Sequence, residues 1–224
     1  MNNIEALYQK AHEAKRNGDI SLLIDCYKKI NKIDAYSWEA KFCLTYYKAM
    51  EAEEKNFWSE SIEVMNTERD IFSTLKNGID KKEEPIAVEA VYKGICDISQ
   101  KFTHDTKHNF SKKDDNAKND SISEYVGKLS IASELLYSCG DEIEACFGDK
   151  YYSFAIDTWK KAIKINASYV KFVLNINEQQ NTIDKYTEKI MKLDKEYKKP
   201  ELNIPSSSGS SFASKIKNFF RKNK

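Results

Sequence analysis

The chain has 224 residues, of which 32% are charged, and its formal net charge is +1. A charge this close to zero gives the chain as a whole no preference for nucleic acid or acidic lipid. Seven glycines and three prolines are too few for a protein of many tight β-turns, so the composition predicts an all-α fold.

The first residues and the cysteines both indicate a cytoplasmic protein. The amino-terminal segment lacks the charged and apolar regions of a signal peptide, and no apolar run approaches the roughly 20 residues that span a bilayer. Five cysteines without a CxxC pair exclude a zinc ribbon or a thioredoxin-like motif and predict reduced, buried thiols.

The first predicted element is a helical hairpin from Glu5 to Asp34 with a break at Gly18-Asp19. Apolar residues recur every three or four positions on both sides of the break, at Leu7, Ala11, Ala14, Leu23, Tyr27, Ile30 and Ile33. With Ala11 where two helices cross closely and Tyr27 and Ile30 in the second-helix core, the hairpin resembles a tetratricopeptide repeat. The resemblance implies stacked antiparallel hairpins that serve as an interaction scaffold.

Three helices and a loop are predicted after this hairpin. Ser37 is a suitable cap for the first, and an apolar stripe from Trp58 to Ile79 predicts a second of about 22 residues. Pro85 suits the first position of a third helix, which is predicted to run to about Asn109. Residues 111–120 have nothing to bury, so they are predicted to form a solvated loop where the body could subdivide.

Beyond residue 120 the pattern predicts three more helices. Ser121 or Ser123 is expected to cap the next one, and Gly148-Asp149, rather than Gly140-Asp141, is expected to end it. Stripes over 154–170 and 183–197 predict the last two, which gives about eight helices in a body of residues 1–199. Core packing is expected for all three tryptophans, Trp38, Trp58 and Trp159.

Short segments spread along the chain carry a second resemblance. They are Trp38-Glu39-Ala40, Tyr46-Tyr47-Lys48-Ala49-Met50, Tyr137 with Gly140-Asp141, Phe147-Gly148, Trp159-Lys160 and Lys192-Leu193-Asp194-Lys195-Glu196-Tyr197. From roughly Asp25 to Glu201 the chain resembles an uncharacterised bacterial family of tetratricopeptide-like proteins, whose members often carry an N-terminal zinc ribbon. This chain lacks the ribbon and has Ala35 where a helix-ending proline is usual. The resemblance supports the fold and implies no activity, cofactor or site residue.

A basic tail follows the body. The segment from Pro200 onward has a net charge of +4, whereas the preceding 199 residues sum to −3. Residues 200–211 have the composition of a flexible linker, and the spacing in 212–224 predicts a short amphipathic helix. This helix would contact an anionic membrane surface or dock in a partner's groove, and an inert tail is the third alternative. Its contacting residues would be Phe212, Lys215, Ile216, Lys217, Phe219, Phe220, Arg221 and Lys222.

These features together predict a non-enzymatic protein–protein interaction scaffold or adaptor, without a cofactor, a metal or direct contact with nucleic acid. The expected partner is another protein, held as a peptide or helix in a concave groove. Candidate groove residues are Tyr8, Lys10, Tyr46, Tyr47 and Lys48. The expected location is cytoplasmic, either free or peripheral at the inner membrane face.

The alternative from another class is a metal-dependent hydrolase centred on His104, Asp105 and His108. Two histidines four apart lie on one helical face, and an adjacent His-Asp pair is also found in all-helical phosphohydrolases. Lys107 lies beside this group, and Asp105 stands where zincins use glutamate, so no metal site is predicted. A peptide-sensing regulator is a third alternative, although no helix-turn-helix precedes the repeats.

Overall fold

The computed structural model describes residues 3–173 and 175–200. Its α-helices are α1 (Asn3–Asn17), α2 (Ile20–Ile33), α3 (Trp38–Met50), α4 (Phe57–Gly78), α5 (Glu84–Ser111), α6 (Asp115–Phe147), α7 (Tyr152–Tyr169) and α8 (Ile176–Leu193). Short 3-10 helices lie at Glu54–Asn56, Gly148–Tyr151 and Val170–Phe172. The described residues contain no strand, which confirms the predicted all-α fold of about eight helices.

The first hairpin forms where the sequence predicts it. Gly18 has φ +72°, a left-handed conformation that glycine adopts without steric cost, and the Asp19 side chain accepts a hydrogen bond from the Leu22 N–H at 3.0 Å. Ala11 is fully buried, as the close crossing of α1 and α2 requires. Tyr27 and Ile30 fill the space between α2 and its neighbours.

Successive helices pack against one another through short turns, and alternate helices also touch. Contacts join α3 to α5, α5 to α7, and α4 to α6. The odd-numbered helices α3, α5 and α7 therefore form one layer, with α4 and α6 behind them. This is the arrangement expected of stacked helical hairpins.

Two apolar clusters hold the array together. The larger runs without interruption from α3 to α8, and the smaller joins α1 and α2 to Ala40 of α3. The cysteines are free thiols that are buried or half-buried. Within the described ranges, no helix is long and apolar enough to cross a membrane.

Two predicted boundaries in the middle of the chain are wrong. The predicted loop 111–120 is much shorter in the structure, where only residues 112–114 lie outside helices. The cap of α6 is Asp114, rather than Ser121 or Ser123, and its side chain accepts a hydrogen bond from the Ala117 N–H at 2.9 Å. The residues after this cap form solvent-facing helical turns, which need no apolar side chain. The predicted end of the same helix is confirmed, because Gly148 has φ +60° and Gly140 lies inside α6.

Candidate functional site

A groove opens between α1, α3 and α5, and the end of α4 with the turn that follows it also lines the groove. Its volume is about 1220 Å³. Small-molecule pockets typically enclose about 300–1,000 Å³, so this space is large enough for a peptide segment. The aromatic and large aliphatic residues along it are Tyr8, Tyr36, Trp38, Phe42, Tyr46, Tyr47, Ile79 and Ile86.

The turn between α2 and α3 forms one wall. Asp34 closes α2 by donating its N–H to the Ile30 carbonyl at 2.8 Å, and its side chain accepts from the Tyr36 N–H at 2.9 Å. The Ser37 hydroxyl accepts from the Ala40 N–H at 3.2 Å and lies 2.6 Å from the Tyr8 hydroxyl. These bonds fix a short turn from which the Tyr36 ring projects, 82% exposed.

A hydrogen-bonded cluster around Glu39 joins α1, α2 and α3 beneath this wall. One Glu39 oxygen accepts from the Tyr27 hydroxyl at 2.6 Å and lies 2.9 Å from Nε2 of His12. Burial is the main cause that raises the pKa of Tyr27, and burial together with the Glu39 carboxylate raises the pKa of the Cys43 thiol to about 11. Cys43 therefore stays a thiol at neutral pH and is a poor nucleophile.

The floor of the groove is the close contact of α3 with α5. The Phe42 ring lies against the backbone of Gly94, where an added Cβ would stand 2.4 Å from Cζ of Phe42. Tyr46 stacks edge-on against Tyr47, with ring centroids 5.1 Å apart, and donates its hydroxyl to Asp97 at 3.4 Å. Gly94 thus sets the spacing of the two helices that carry most of the groove.

We expect Gly94→Ala to lower the free energy of unfolding by about 1–3 kcal/mol, the usual cost of overpacking a filled contact. Alanine otherwise favours a helix interior over glycine by about 1 kcal/mol, so a net loss would report the clash with Phe42. Urea denaturation followed by circular dichroism measures the change. Gly78→Ala is the matched control, because nothing lies within 4 Å of its added Cβ; equal stability of the two variants would contradict the prediction.

The groove is acidic. Six carboxylates line it, Asp34, Glu39, Asp80, Glu83, Glu89 and Asp97, against two lysines, Lys15 and Lys93, with His12 as a further titratable group. The excess is four negative charges with His12 neutral. Lys93 is itself paired with Glu89 at 2.6 Å, which leaves carboxylates to dominate the rim. Such a surface attracts cationic segments.

Three of the five predicted groove residues, Tyr8, Tyr46 and Tyr47, line the groove. Lys10 and Lys48 do not. Lys48 forms ion pairs with Glu60 at 3.2 Å and with Glu63, both on α4, so it faces the layer behind α3. The predicted lysines are close to the tyrosines in the sequence, but adjacent positions on a helix point in different directions.

Tyr36 and Ile86, which are 82% and 68% exposed, also line the groove but were not predicted to do so. The sequence does contain one indication that these two side chains are exposed. Tyr36 lies in a predicted turn, and Ile86 lies off the stripe of Val88 and Val91, so neither has an obvious place in a core. Trp38 packs against the core with part of its surface along the groove, and Trp159 is fully buried, so core packing is confirmed for both.

The structure also places His104, Asp105 and His108. The two imidazoles stack on the exposed surface of α5 with centroids 5.9 Å apart. Asp105 is instead paired with Lys101 at 2.6 Å. Among the residues that the structure describes, no group of three or more His, Cys, Asp or Glu is arranged to hold a metal ion.

The predicted tail residues Phe212, Lys215, Ile216, Lys217, Phe219, Phe220, Arg221 and Lys222 lie outside the described residues. The fold and groove define the chain as an all-α protein of stacked helical hairpins with an open acidic and aromatic groove. Comparison with protein-family models, curated proteins and solved structures finds no match.

Proposed function

We propose that this protein is a non-enzymatic interaction scaffold or adaptor of the tetratricopeptide-like kind, whose groove binds a segment of a partner protein. One observation carries the proposal: apolar side chains stand exposed among carboxylates in a groove of peptide size. Tyr36 and Ile86 both line the groove and are 82% and 68% exposed, and exposed apolar surface of this kind is typical of binding sites.

The chemistry of the groove defines the partner segment. Aromatic side chains that are already held by packing, such as Phe42 and Tyr46, serve as anchors with little loss of conformational entropy on binding. The surrounding carboxylates would steer basic side chains and reject acidic ones. The partner segment is therefore basic and carries aromatic or aliphatic residues, bound as a helix or an extended peptide.

A peptide titration tests this function in the full-length protein. The probe is a fluorescein-labelled amphipathic peptide of lysine and phenylalanine at helical spacing, followed by fluorescence anisotropy. We expect saturable binding that weakens at higher salt and weakens about tenfold or more in the Glu83→Lys/Glu89→Lys variant, because two attractive charges become repulsive.

The matched control is Asp70→Lys/Glu188→Lys, which makes the same change in net charge at two exposed positions that do not line the groove. Binding by this control should equal that of the wild type. Equal weakening in both double variants would indicate a nonspecific charge effect. Equal affinity for the probe and for a scrambled peptide of the same composition would also overturn the proposed function.

A further inference from the structure

The chain itself contains a segment with the chemistry that the groove would recognise. Within residues 212–224, Phe212, Ile216, Phe219 and Phe220 recur at helical spacing, and five lysines or arginines accompany them without an acidic residue. The body is acidic overall, and its groove has an excess of four carboxylates. Charge and apolar character are therefore complementary between the tail and the groove.

The tail is also long enough to reach the groove. The described chain ends at Pro200, and the eleven residues 201–211 span up to about 36 Å when extended. A body of this size has a radius of gyration of about 16 Å, so the tether covers most of its surface. The groove lies along α5, which contacts α7, and α7 in turn contacts the final helix α8.

We propose that residues 212–224 dock in the groove between α1, α3 and α5 of the same chain. This inference rests on the proposed function, because it gives the groove a resident ligand that a partner must displace. A tethered segment competes at an effective concentration in the millimolar range, so even weak docking would reduce the apparent affinity for a partner. The groove would then respond to anything that binds the tail, including a membrane surface.

Photo-cross-linking in the full-length protein tests the docking. Benzoylphenylalanine replaces Phe219, and mass spectrometry maps the cross-linked residues after irradiation. We expect adducts on groove residues such as Tyr36, Trp38 and Ile86, in a yield that does not depend on protein concentration. The same probe at Asn203 is the control and should give few groove adducts. Adducts that avoid the groove, or dimers whose yield rises with concentration, would overturn the proposal.

A charge exchange separates specific docking from random collision. Reversal of Lys215, Lys217, Arg221 and Lys222 to glutamate should reduce the groove adducts about tenfold or more. Adding Glu83→Lys/Glu89→Lys to that variant should restore part of the yield. If reversing the charges of the tail leaves the yield of groove adducts unchanged, the proposed docking is wrong.

The peptide titration distinguishes failure of this inference from failure of the proposed function. The Phe219→Ser/Phe220→Ser variant should bind the added fluorescein-labelled peptide at least about tenfold more tightly than the wild type does, because its tail no longer competes for the groove. Equal, tight binding by both proteins would overturn the docking and leave the groove function intact. If the tail forms groove adducts but no variant binds the added peptide, the docking is supported and a role of the groove in binding partners is contradicted.

A vesicle flotation experiment tests whether the tail binds a membrane surface instead of the groove. The full-length protein is floated with vesicles of phosphatidylcholine and phosphatidylserine. If the groove holds the tail, Glu83→Lys/Glu89→Lys should release it and increase flotation relative to the Asp70→Lys/Glu188→Lys control. Tail-dependent flotation that is equal in these two variants, together with no groove adducts, would assign the tail to the membrane and overturn the proposal.

Discussion

Trp159→Ala is expected to lower the free energy of unfolding by about 3–5 kcal/mol, the range measured for loss of a fully buried large aromatic side chain. Trp159 of α7 is 0% exposed. Its ring lies against the backbone of Gly140 in α6, and its centroid is 5.9 Å from that of Tyr186 in α8. Truncation would therefore leave a cavity where three helices meet, beneath the Lys189 side chain, whose Nζ lies 4.6 Å from the centre of the ring.

Urea denaturation followed by circular dichroism measures the effect without depending on tryptophan fluorescence. Trp58→Ala is the matched control, because the Trp58 side chain is 44% exposed on α4 and much of it already contacts water. We expect the control to lose about 2 kcal/mol, roughly half the loss at Trp159, in proportion to the smaller apolar area that it buries. Equal losses would show that Trp159 is not the centre of this part of the core.

The contrast between these tryptophans shows where sequence analysis of this chain reaches its limit. Periodicity places both residues on apolar stripes and predicts burial for both, but it cannot show how many helices cover a given face. Trp159 contacts α6 and α8 and is fully buried, whereas Trp58 contacts α6 near Gly127 and is still 44% exposed. Gly140 was weighed as a possible helix end because glycine often marks a turn. In the structure it lets Trp159 approach α6 closely, and this role can be recognised only when the partner helix is known.

The groove was only partly predictable for the same reason. The tyrosines at 8, 46 and 47 were selected because aromatic residues commonly line concave helical surfaces, and they do line this one. Its charge was not predicted. Glu83, which directly precedes α5, and Glu89 of α5 come together with Asp34, about 50 residues earlier in the chain, only because α5 packs beside α3.

Glu68 is the strongest departure from the predicted core pattern. It lies on the buried face of α4 between Val64 and Phe72 and is 1% exposed. Neither carboxylate oxygen has a hydrogen-bond partner of ordinary distance and angle among the described residues, although the Ser138 hydroxyl of α6 is close enough to lower the pKa of Glu68 in part. Burial raises the pKa of Glu68 well above its ordinary value, and the nearby Glu142 carboxylate adds to the increase. The native protein therefore holds this side chain as the neutral acid well above the pH at which an exposed glutamate ionises.

This proton makes stability depend on pH, and Glu68→Gln is expected to remove that dependence. Below the ordinary pKa of glutamate, Glu68 is protonated in both the native and the unfolded chain, so the two proteins should be about equally stable. As the pH rises above that value, only the unfolded chain releases the proton. The native state of the wild type then loses about 1.4 kcal/mol of stability per pH unit, until its own pKa is reached.

Glutamine matches the shape of the neutral acid and does not titrate, so the stability advantage of Glu68→Gln should grow as the pH rises above the ordinary pKa of glutamate and level off above the native pKa of Glu68. Urea denaturation at each pH measures the difference, with Glu188→Gln on the exposed face of α8 as the control. The control should track the wild type at every pH. A constant difference between Glu68→Gln and the wild type would mean that Glu68 ionises in the native state, and a partner for its charge would then have to exist between α4 and α6.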